Sequence, residues 1–231
     1  MPVKVALIDS GLSPALAAAL GGRLRAGAGF VEDAFGVVRR QAAVADPLGH
    51  GTQVAGLVLA AAPSAELINA QVFVAGRPVS AAAVAAALHW AVAQGAQVVN
   101  LSLGLHDDRL ALGLACAAAQ AAGVLLVASA PARGGPIYPA SYPGVLAVSG
   151  DARCGDGEWS LINGLALVGA SPQGESPGRA GGASFAAARI SGLAAARFEA
   201  AGALSAPAFR SLLRAGASFI GRERHQEESA A

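Results

Sequence analysis

Three polar side chains in an otherwise apolar, alanine-rich chain are of the types that together perform nucleophilic catalysis. Ser184 lies in "GGASFAAA" (181–188), between a glycine pair and an alanine run that predicts a helix. His50 lies between two glycines at a second predicted helix start, and Asp9 ends a fully apolar strand segment. A hydroxyl nucleophile needs an adjacent base, which a third group usually orients. Each residue taken alone also has a structural interpretation. Asp9 could cap a turn, His50 could be a structural histidine, and Ser184 could be a small residue at the start of a helix.

The elements that must position these residues alternate along the chain. Apolar, β-branched runs predict strands at 3–9, 66–72, 96–103, 123–130 and 144–150. Alanine-rich stretches predict helices at 52–61, 80–94, 108–122, 184–200 and 205–214. Ser80 and Asp108 are suited to be N-caps, and Gly95 and Gly123 to end helices. The alternation indicates an α/β fold, a parallel β-sheet flanked by helices on both faces.

Ligands of parallel sheets bind beyond the carboxyl ends of the strands. In this chain that rule selects Asp9 and the segments 102–104 and 129–133. We therefore expect any active site to lie at that edge of the sheet.

The composition limits the classes of partner. Sixteen Lys and Arg residues against fifteen Asp and Glu give a formal charge of +1, so bulk electrostatics favour neither nucleic acid nor an anionic membrane. Cys116 and Cys154 are too few for a disulfide framework and lack metal-ligand spacing. Gln120 and Gly123 interrupt the apolar segment 110–130, which predicts a soluble helix–turn–strand. We expect neither a cofactor nor a metal.

The length of 231 residues fits one domain, which we assign to 1–221, followed by a polar C-terminal tail at 222–231. The N-terminal "MPVKVALIDSG" passes directly into a predicted strand without the features of a signal peptide. If Met1 is the natural start, this predicts a cytoplasmic protein. The oligomeric state stays open.

Three motifs in the order Asp, His, Ser resemble those of the subtilases, the subtilisin-like serine peptidases. They are "ALIDSGL" (6–12), "GHGTQVAGLV" (49–58) and "GASFAAARISG" (182–192). "VVNLSLG" (98–104) and "YPASYPGVLAVSG" (138–150) also resemble family segments in the right order. The resemblance covers nearly the whole chain and implies the family's three-layer sandwich.

The resemblance also implies roles for particular residues. Ser184 is the nucleophile, His50 the general base and Asp9 the group that orients His50. The substrate, a peptide or protein, is expected to pair as a strand with 102–104 (Ser102, Leu103 and Gly104). Ser129 and Ala130 are expected to lie next to it.

The chain departs from the family where the oxyanion of the reaction is normally bound. Subtilases usually carry an asparagine at the position of Ala132, and loss of one such donor costs about 10²–10³-fold in kcat. Arg133 follows directly, and Arg133, Asn163 or Ser129 could replace the donor. The usual threonine before the serine is Ala183, and the usual proline of the helix is Ala188.

We therefore predict a slow, minimal endopeptidase with a dedicated substrate such as a precursor peptide. Ile137 partly fills the primary specificity pocket in this interpretation, which favours small or medium side chains. The loop 171–182 is expected to border the cleft. Two alternatives stay open: a pseudoprotease that binds a peptide or partner, and an acyl transferase that uses the same acyl-enzyme.

Overall fold

The computed structural model describes residues 1–74, 77–174, 182–202 and 205–222. Ten strands are found in these ranges: β1 (Lys4–Asp9), β2 (Leu24–Glu32), β3 (Val38–Gln41), β4 (Glu66–Gln71), β5 (Val98–Leu101), β6 (Leu125–Ser129), β7 (Leu146–Gly150), β8 (Trp159–Leu165), β9 (Val168–Ala170) and β10 (Phe219–Ile220). The same ranges contain the helices α1 (Pro14–Leu20), α2 (His50–Ala61), α3 (Ala81–Ala93), α4 (Leu110–Ala121), α5 (Ala183–Ala201) and α6 (Ala206–Ala215).

The strands form one mostly parallel sheet in the order β10-β8-β9-β7-β6-β5-β1-β4-β2-β3. The central run from β7 to β2 is parallel throughout, with Leu7 of β1 opposite both Asn69 of β4 and Asn100 of β5. The pairs β2–β3 and β8–β9 are antiparallel and lie toward the two sides of the sheet. The long parallel run places the carboxyl ends of β1, β5 and β6 side by side.

Strand β1 shows why helices cover both faces of the sheet. Its side chains alternate in direction, so Val5 and Leu7 enter one buried cluster while Ala6 and Ile8 enter another. The first cluster contains residues of α2, α5 and α6, and the second contains residues of α3 and α4. The protein is therefore a three-layer α/β sandwich, which confirms the predicted fold class.

The five predicted strands and five predicted helices are all present, with small shifts at their ends. Ser80 caps α3 as predicted, since its hydroxyl accepts a hydrogen bond from the Ala83 amide. The prediction for Asp108 is wrong: α4 begins two residues later, and Asp108 Oδ1 instead accepts a hydrogen bond from the Tyr142 hydroxyl at 2.9 Å.

Several helices and strands of the structure were not among the predicted elements. Helix α1, strand β10 and the hairpins β2–β3 and β8–β9 carry too weak a pattern to be read from the sequence.

Segment 110–130 forms the helix α4 and the strand β6, and no helix in the described ranges is long and apolar enough to cross a bilayer. Part of the loop at 171–182 and nearly all of the tail at 222–231 lie outside the described residues, so both stay predictions.

Helices α2 and α5 pack closely and run side by side in the same direction. The His50 ring near the start of α2 meets Phe185 near the start of α5. Further along, a Cβ atom placed on Gly192 would lie 2.8 Å from both the Val58 carbonyl oxygen and the Ala61 Cβ. Glycine at this crossing lets the two helices approach, and the starts of both helices then meet at one place.

The Gly192→Val variant is expected to lower the free energy of unfolding by about 1–3 kcal/mol, the usual cost of overpacking. The new side chain would meet backbone of α2, which cannot move aside as a flexible side chain can. Urea denaturation would measure the change. Gly22→Val is a matched control, because a Cβ atom there has nothing within 4 Å. Equal effects of the two variants would contradict the prediction.

Candidate active site

Asp9 is the last residue of β1 and its side chain is almost fully buried. Its Oδ1 lies 2.7 Å from His50 Nδ1 and also accepts a hydrogen bond from the Ser10 amide at 2.7 Å. Its Oδ2 is buried and has no hydrogen-bond partner among the described residues. One carboxylate oxygen therefore fixes the direction of the imidazole ring.

Two glycines allow His50 to approach this carboxylate. Gly49 precedes α2 with a left-handed φ of 69°, which lets the chain turn sharply into the helix. At Gly51, a Cβ atom would lie 2.3 Å from the Gly11 carbonyl oxygen and 3.2 Å from Asp9 Oδ1. Any larger residue at this position would push the start of α2 away from the end of β1. Steric constraints thus explain why glycine stands on both sides of the histidine.

Asp46, which sequence reasoning missed, organises the loop that leads into His50. Its Oδ1 accepts hydrogen bonds from the Ser10 hydroxyl at 2.8 Å and from the amides of Leu48 and Gly49 at 3.1 and 2.9 Å. Its Oδ2 accepts from the amide and hydroxyl of Thr52 at 2.9 and 2.7 Å. Burial alone would raise the pKa of Asp46, but the bonds from Thr52 and Ser10 outweigh it and lower that pKa.

The Ser10 hydroxyl extends this network to the other side of the histidine, since it accepts a hydrogen bond from the Gly51 amide at 2.8 Å. Asp46 and Ser10 together hold the backbone on both sides of His50. The sequence signal was an acidic residue four positions before the histidine, in "DPLGHGT" (46–52).

The Asp46→Ala variant is expected to lower kcat by up to about 100-fold, as a small misplacement of a catalytic group can. Loss of the charge should also lower the pKa of His50, because Asp46 contributes to raising it. Asp33→Ala is the matched control: Asp33 likewise accepts bonds from two loop amides, but in the β2–β3 hairpin. A rate loss with an unshifted pH profile would mean that Asp46 acts on the fold alone.

Ser184 is the second residue of α5 and is partly exposed. Its Oγ lies 3.4 Å from the Ser102 carbonyl oxygen, and no hydrogen bond joins it to His50 in the described part of the chain. Its neighbour Phe185 stacks on the His50 ring, with centroids 5.7 Å apart and planes at 21°. The structure therefore brings Asp9 and His50 into contact and places Ser184 next to them. The Ser184 N–H has no partner inside the helix because it belongs to the first turn.

A buried polar chain ties the start of α5 to the end of β5. Asn100 Nδ2 donates to Ser102 Oγ at 2.7 Å, and the Ser191 hydroxyl donates to Asn100 Oδ1 at 3.0 Å. Ser102 Oγ in turn donates to the Ser184 carbonyl oxygen at 3.2 Å. These bonds fix Ser184 relative to the strand edge at 102–104.

The residues predicted to bind substrate lie together. Gly104 is exposed, and a Cβ atom on it would lie 2.4 Å from Ile137 Cγ2, so Ile137 lies directly over it. Ser129 Oγ lies 3.4 Å from the carbonyl oxygen of the buried Leu103. The amide of Ala130 donates to the Val148 carbonyl oxygen at 2.8 Å. Two segments, 102–104 and 129–130, therefore run next to each other beside Ser184.

The oxyanion region is less defined. Ala132 and Arg133 are exposed in the loop after β6, and the cavities that Arg133 lines include neither Ser184 nor His50. Asn163 lines the larger of those cavities, and the Ser129 hydroxyl is directed to Leu103. Whether one of these groups replaces the family's asparagine stays a prediction.

The electrostatics favour His50 as the base. The hydrogen bond from Asp9 raises its pKa above the ordinary value of 6.5, although partial burial opposes the shift. Burial raises the pKa of Cys116 to about 12 and that of Cys154 to about 11, so neither thiol is a ready nucleophile. Within the ranges that the structure describes, no three His, Cys, Asp or Glu side chains are grouped to hold a metal ion.

Several known proteases are similar to this chain in sequence. Subtilisin Savinase of Lederbergia lenta is 38% identical over 159 residues, which is 63% of this chain and 54% of that protein. A thermostable alkaline protease of Halalkalibacterium halodurans is 35% identical over 159 residues, 63% of this chain and 40% of that protein. This chain thus matches only about half the length of these relatives, or less.

Solved structures show the same fold. A cold adapted subtilisin-like serine proteinase superposes with a TM-score of 0.72 at 21% identity, covering 96% of this chain and 89% of that one. The self-cleaved protease domain of PatA gives a TM-score of 0.65 at 21% identity, with coverages of 91% and 86%. A profile of the subtilase family (peptidase S8) matches residues 2–229. On that match, which covers nearly its whole length, the chain belongs to the subtilase family.

Proposed function

We propose that the protein is a serine endopeptidase that cleaves peptide bonds through an acyl-enzyme on Ser184. The observation that carries the proposal is the 2.7 Å contact of Asp9 Oδ1 with His50 Nδ1, at a site where the partly exposed Ser184 starts the adjacent helix. Membership of the subtilase family associates this arrangement with the cleavage of peptide bonds. The assignments of nucleophile, base and orienting carboxylate are part of the proposal.

The reaction starts with attack of Ser184 Oγ on the carbonyl carbon of the scissile bond while His50 Nε2 takes the hydroxyl proton. The carbonyl oxygen becomes an anion, and the Ser184 N–H donates to it at the positive end of α5. His50 then gives its proton to the leaving amine as the C–N bond breaks. Water hydrolyses the ester by the same steps, with His50 again as the base.

The substrate is held as an added strand along 102–104, where main-chain hydrogen bonds give affinity whatever the side chains. Ile137 over Gly104 restricts the space next to this edge. We propose that the enzyme is slow, because the Ala132 side chain has no N–H to donate, and that it acts on a dedicated peptide or protein such as a precursor peptide. A rate loss of about 10²–10³-fold still leaves a working catalyst.

The acid limb of kcat/KM is expected to lie above pH 6.5, because His50 must be neutral to act as base and its pKa is raised. The free energy of unfolding is expected to depend on pH in the opposite direction. The Asp9–His50 pair stabilises the fold fully below the unfolded pKa of His50, and this contribution is lost as the pH rises through the folded pKa. An NMR titration of the His50 ring would measure the folded value. A folded pKa below 6.5 would contradict the expectation.

A fluorophosphonate probe on the purified protein tests the proposed function. Covalent labelling that disappears in Ser184→Ala but persists in the matched control Ser211→Ala, at an exposed position of α6, supports the nucleophile. Absence of labelling in a demonstrably folded protein would instead support the rival function, a peptide-binding pseudoprotease, which the lost oxyanion asparagine favours. Product masses with a peptide substrate then distinguish hydrolysis from acyl transfer to an amine.

A further inference from the structure

A cavity of about 770 Å³ next to the candidate active site is lined by three arginines. Arg133 comes from the loop after β6, Arg210 from α6, and Arg222 from the segment after β10. No Asp or Glu is among the described residues that line it. Three cationic residues therefore border one space that no carboxylate of the described residues lines.

The contacts of each arginine leave its charge available to a ligand. Arg210 donates to the Gly144 carbonyl oxygen at 2.6 Å and forms no ion pair with a described carboxylate. Burial lowers the pKa of Arg210, since its charge is poorly solvated. Arg133 and Arg222 are exposed, and within the described chain neither has a hydrogen-bond or ion-pair partner.

An acidic residue of the adjoining cavity already has hydrogen-bond partners. Asp151 lines a smaller, adjoining cavity that Arg133 and Arg222 also line. Its two carboxylate oxygens accept hydrogen bonds from Arg153, and its Oδ2 also accepts one from the Ser160 hydroxyl at 2.6 Å. Asp151 is therefore engaged with its own partners, and the described residues that line the larger cavity carry only positive charge.

The position of the cavity connects it to the proposed substrate strand. Ala130, Ala132 and Ile137 all line it, and Ile137 also lies over Gly104 at the strand edge. A substrate side chain that passes Ile137 from the edge at 102–104 would enter this space. Because Ser184 Oγ lies 3.4 Å from the Ser102 carbonyl oxygen at one end of that edge, such a side chain would belong to the residue whose carbonyl group Ser184 attacks.

We propose that this cavity binds the side-chain carboxylate of an Asp or Glu immediately before the scissile bond. Guanidinium groups match a carboxylate with paired hydrogen bonds, and such charge-assisted bonds are about twice as strong as neutral ones. The site would thus make the protein selective for acidic residues at that position. This inference rests on the proposed function, of which it specifies the substrate class.

Fluorogenic acetyl-tripeptidyl aminocoumarin amides that differ only in a final Glu or Gln test the proposal, since the leaving group fixes the scissile bond. We expect kcat/KM to favour Glu by about tenfold or more, the usual value of one hydrogen bond to a charged group. The ratio should fall in the Arg133→Gln/Arg222→Gln double variant, in which Arg210 alone remains, and should also fall with added salt. Loss of an oxyanion donor would slow both substrates alike and leave the ratio unchanged.

Arg214→Gln is the matched control, because Arg214 lies one turn beyond Arg210 on α6 and does not line the cavity. A Glu-to-Gln ratio near unity in the unmodified protein, or a ratio unchanged in the double variant, would overturn the proposal.

A binding measurement separates this inference from the proposed function. Ser184→Ala protein is titrated with fluorescein-labelled hexapeptides that carry Glu or Gln at the corresponding position. Tighter binding of the Glu peptide that needs Arg133 and Arg222 supports the acidic site even where the fluorophosphonate probe gives no label. Probe labelling without a Glu preference in binding leaves the peptidase standing and rejects the acidic site.

Discussion

The Asp9→Asn variant is expected to lose about 10⁴-fold in kcat, the loss seen when a triad carboxylate is replaced by its amide. In the proposed mechanism Asp9 Oδ1, 2.7 Å from His50 Nδ1, holds the proton on that nitrogen and leaves Nε2 free to take the Ser184 proton. An amide that turns its NH2 group toward His50 favours the opposite tautomer. It also lacks the negative charge that stabilises the imidazolium formed during attack.

Steady-state kinetics with a chromogenic peptide would measure this loss, and circular dichroism would verify the fold. Asp33→Asn is the control, since it removes a carboxylate of the β2–β3 hairpin that pairs with Arg39. The NMR titration of His50 should show a lower pKa in Asp9→Asn, because the largest cause of the raised pKa is gone. A variant that keeps more than about a tenth of the activity would show that Asp9 does not orient the base.

The central fold could be predicted from the sequence because its strands are apolar on both faces. Strand β1 places Val5 and Leu7 in one core and Ala6 and Ile8 in the other, which gives the continuous apolar run of a covered parallel strand. The β2–β3 hairpin was missed because β3 (Val38–Gln41) is mostly exposed and carries two arginines. Its strand conformation depends on antiparallel pairing with β2 rather than on an apolar pattern of its own.

The triad candidates were predictable because each lies inside a local motif with its own steric need, as Gly51 shows at the end of β1. The Asp46 network was predictable only in part: its bonds to Leu48, Gly49 and Thr52 are local, whereas its bond to Ser10 joins segments far apart in the sequence. The arginine cavity could not be predicted from the sequence. Arg133, Arg210 and Arg222 come from three separate segments, and only the fold brings them together.

The Ala132→Asn variant is expected to raise kcat by up to about 10²–10³-fold, the contribution of one oxyanion-hole donor. Ala132 lies in the exposed loop after β6, and the resemblance to subtilases implies that it replaces the asparagine with this amide. The developing oxyanion needs the donor more than the ground-state carbonyl does, so kcat should rise while KM changes little. Kinetics on the same peptide, with and without the substitution, measure both constants.

Ala132→Asp is the matched control, because it has nearly the same shape as asparagine but offers no N–H and carries a negative charge. It should lower kcat below that of the unmodified protein, since a carboxylate opposes the developing oxyanion. If asparagine gives no gain while Arg133→Ala lowers kcat, another donor already serves this position. A gain with asparagine alone would identify Ala132 as the cause of slow turnover, and the intact Asp9–His50 pair then belongs to a working but weakened peptidase.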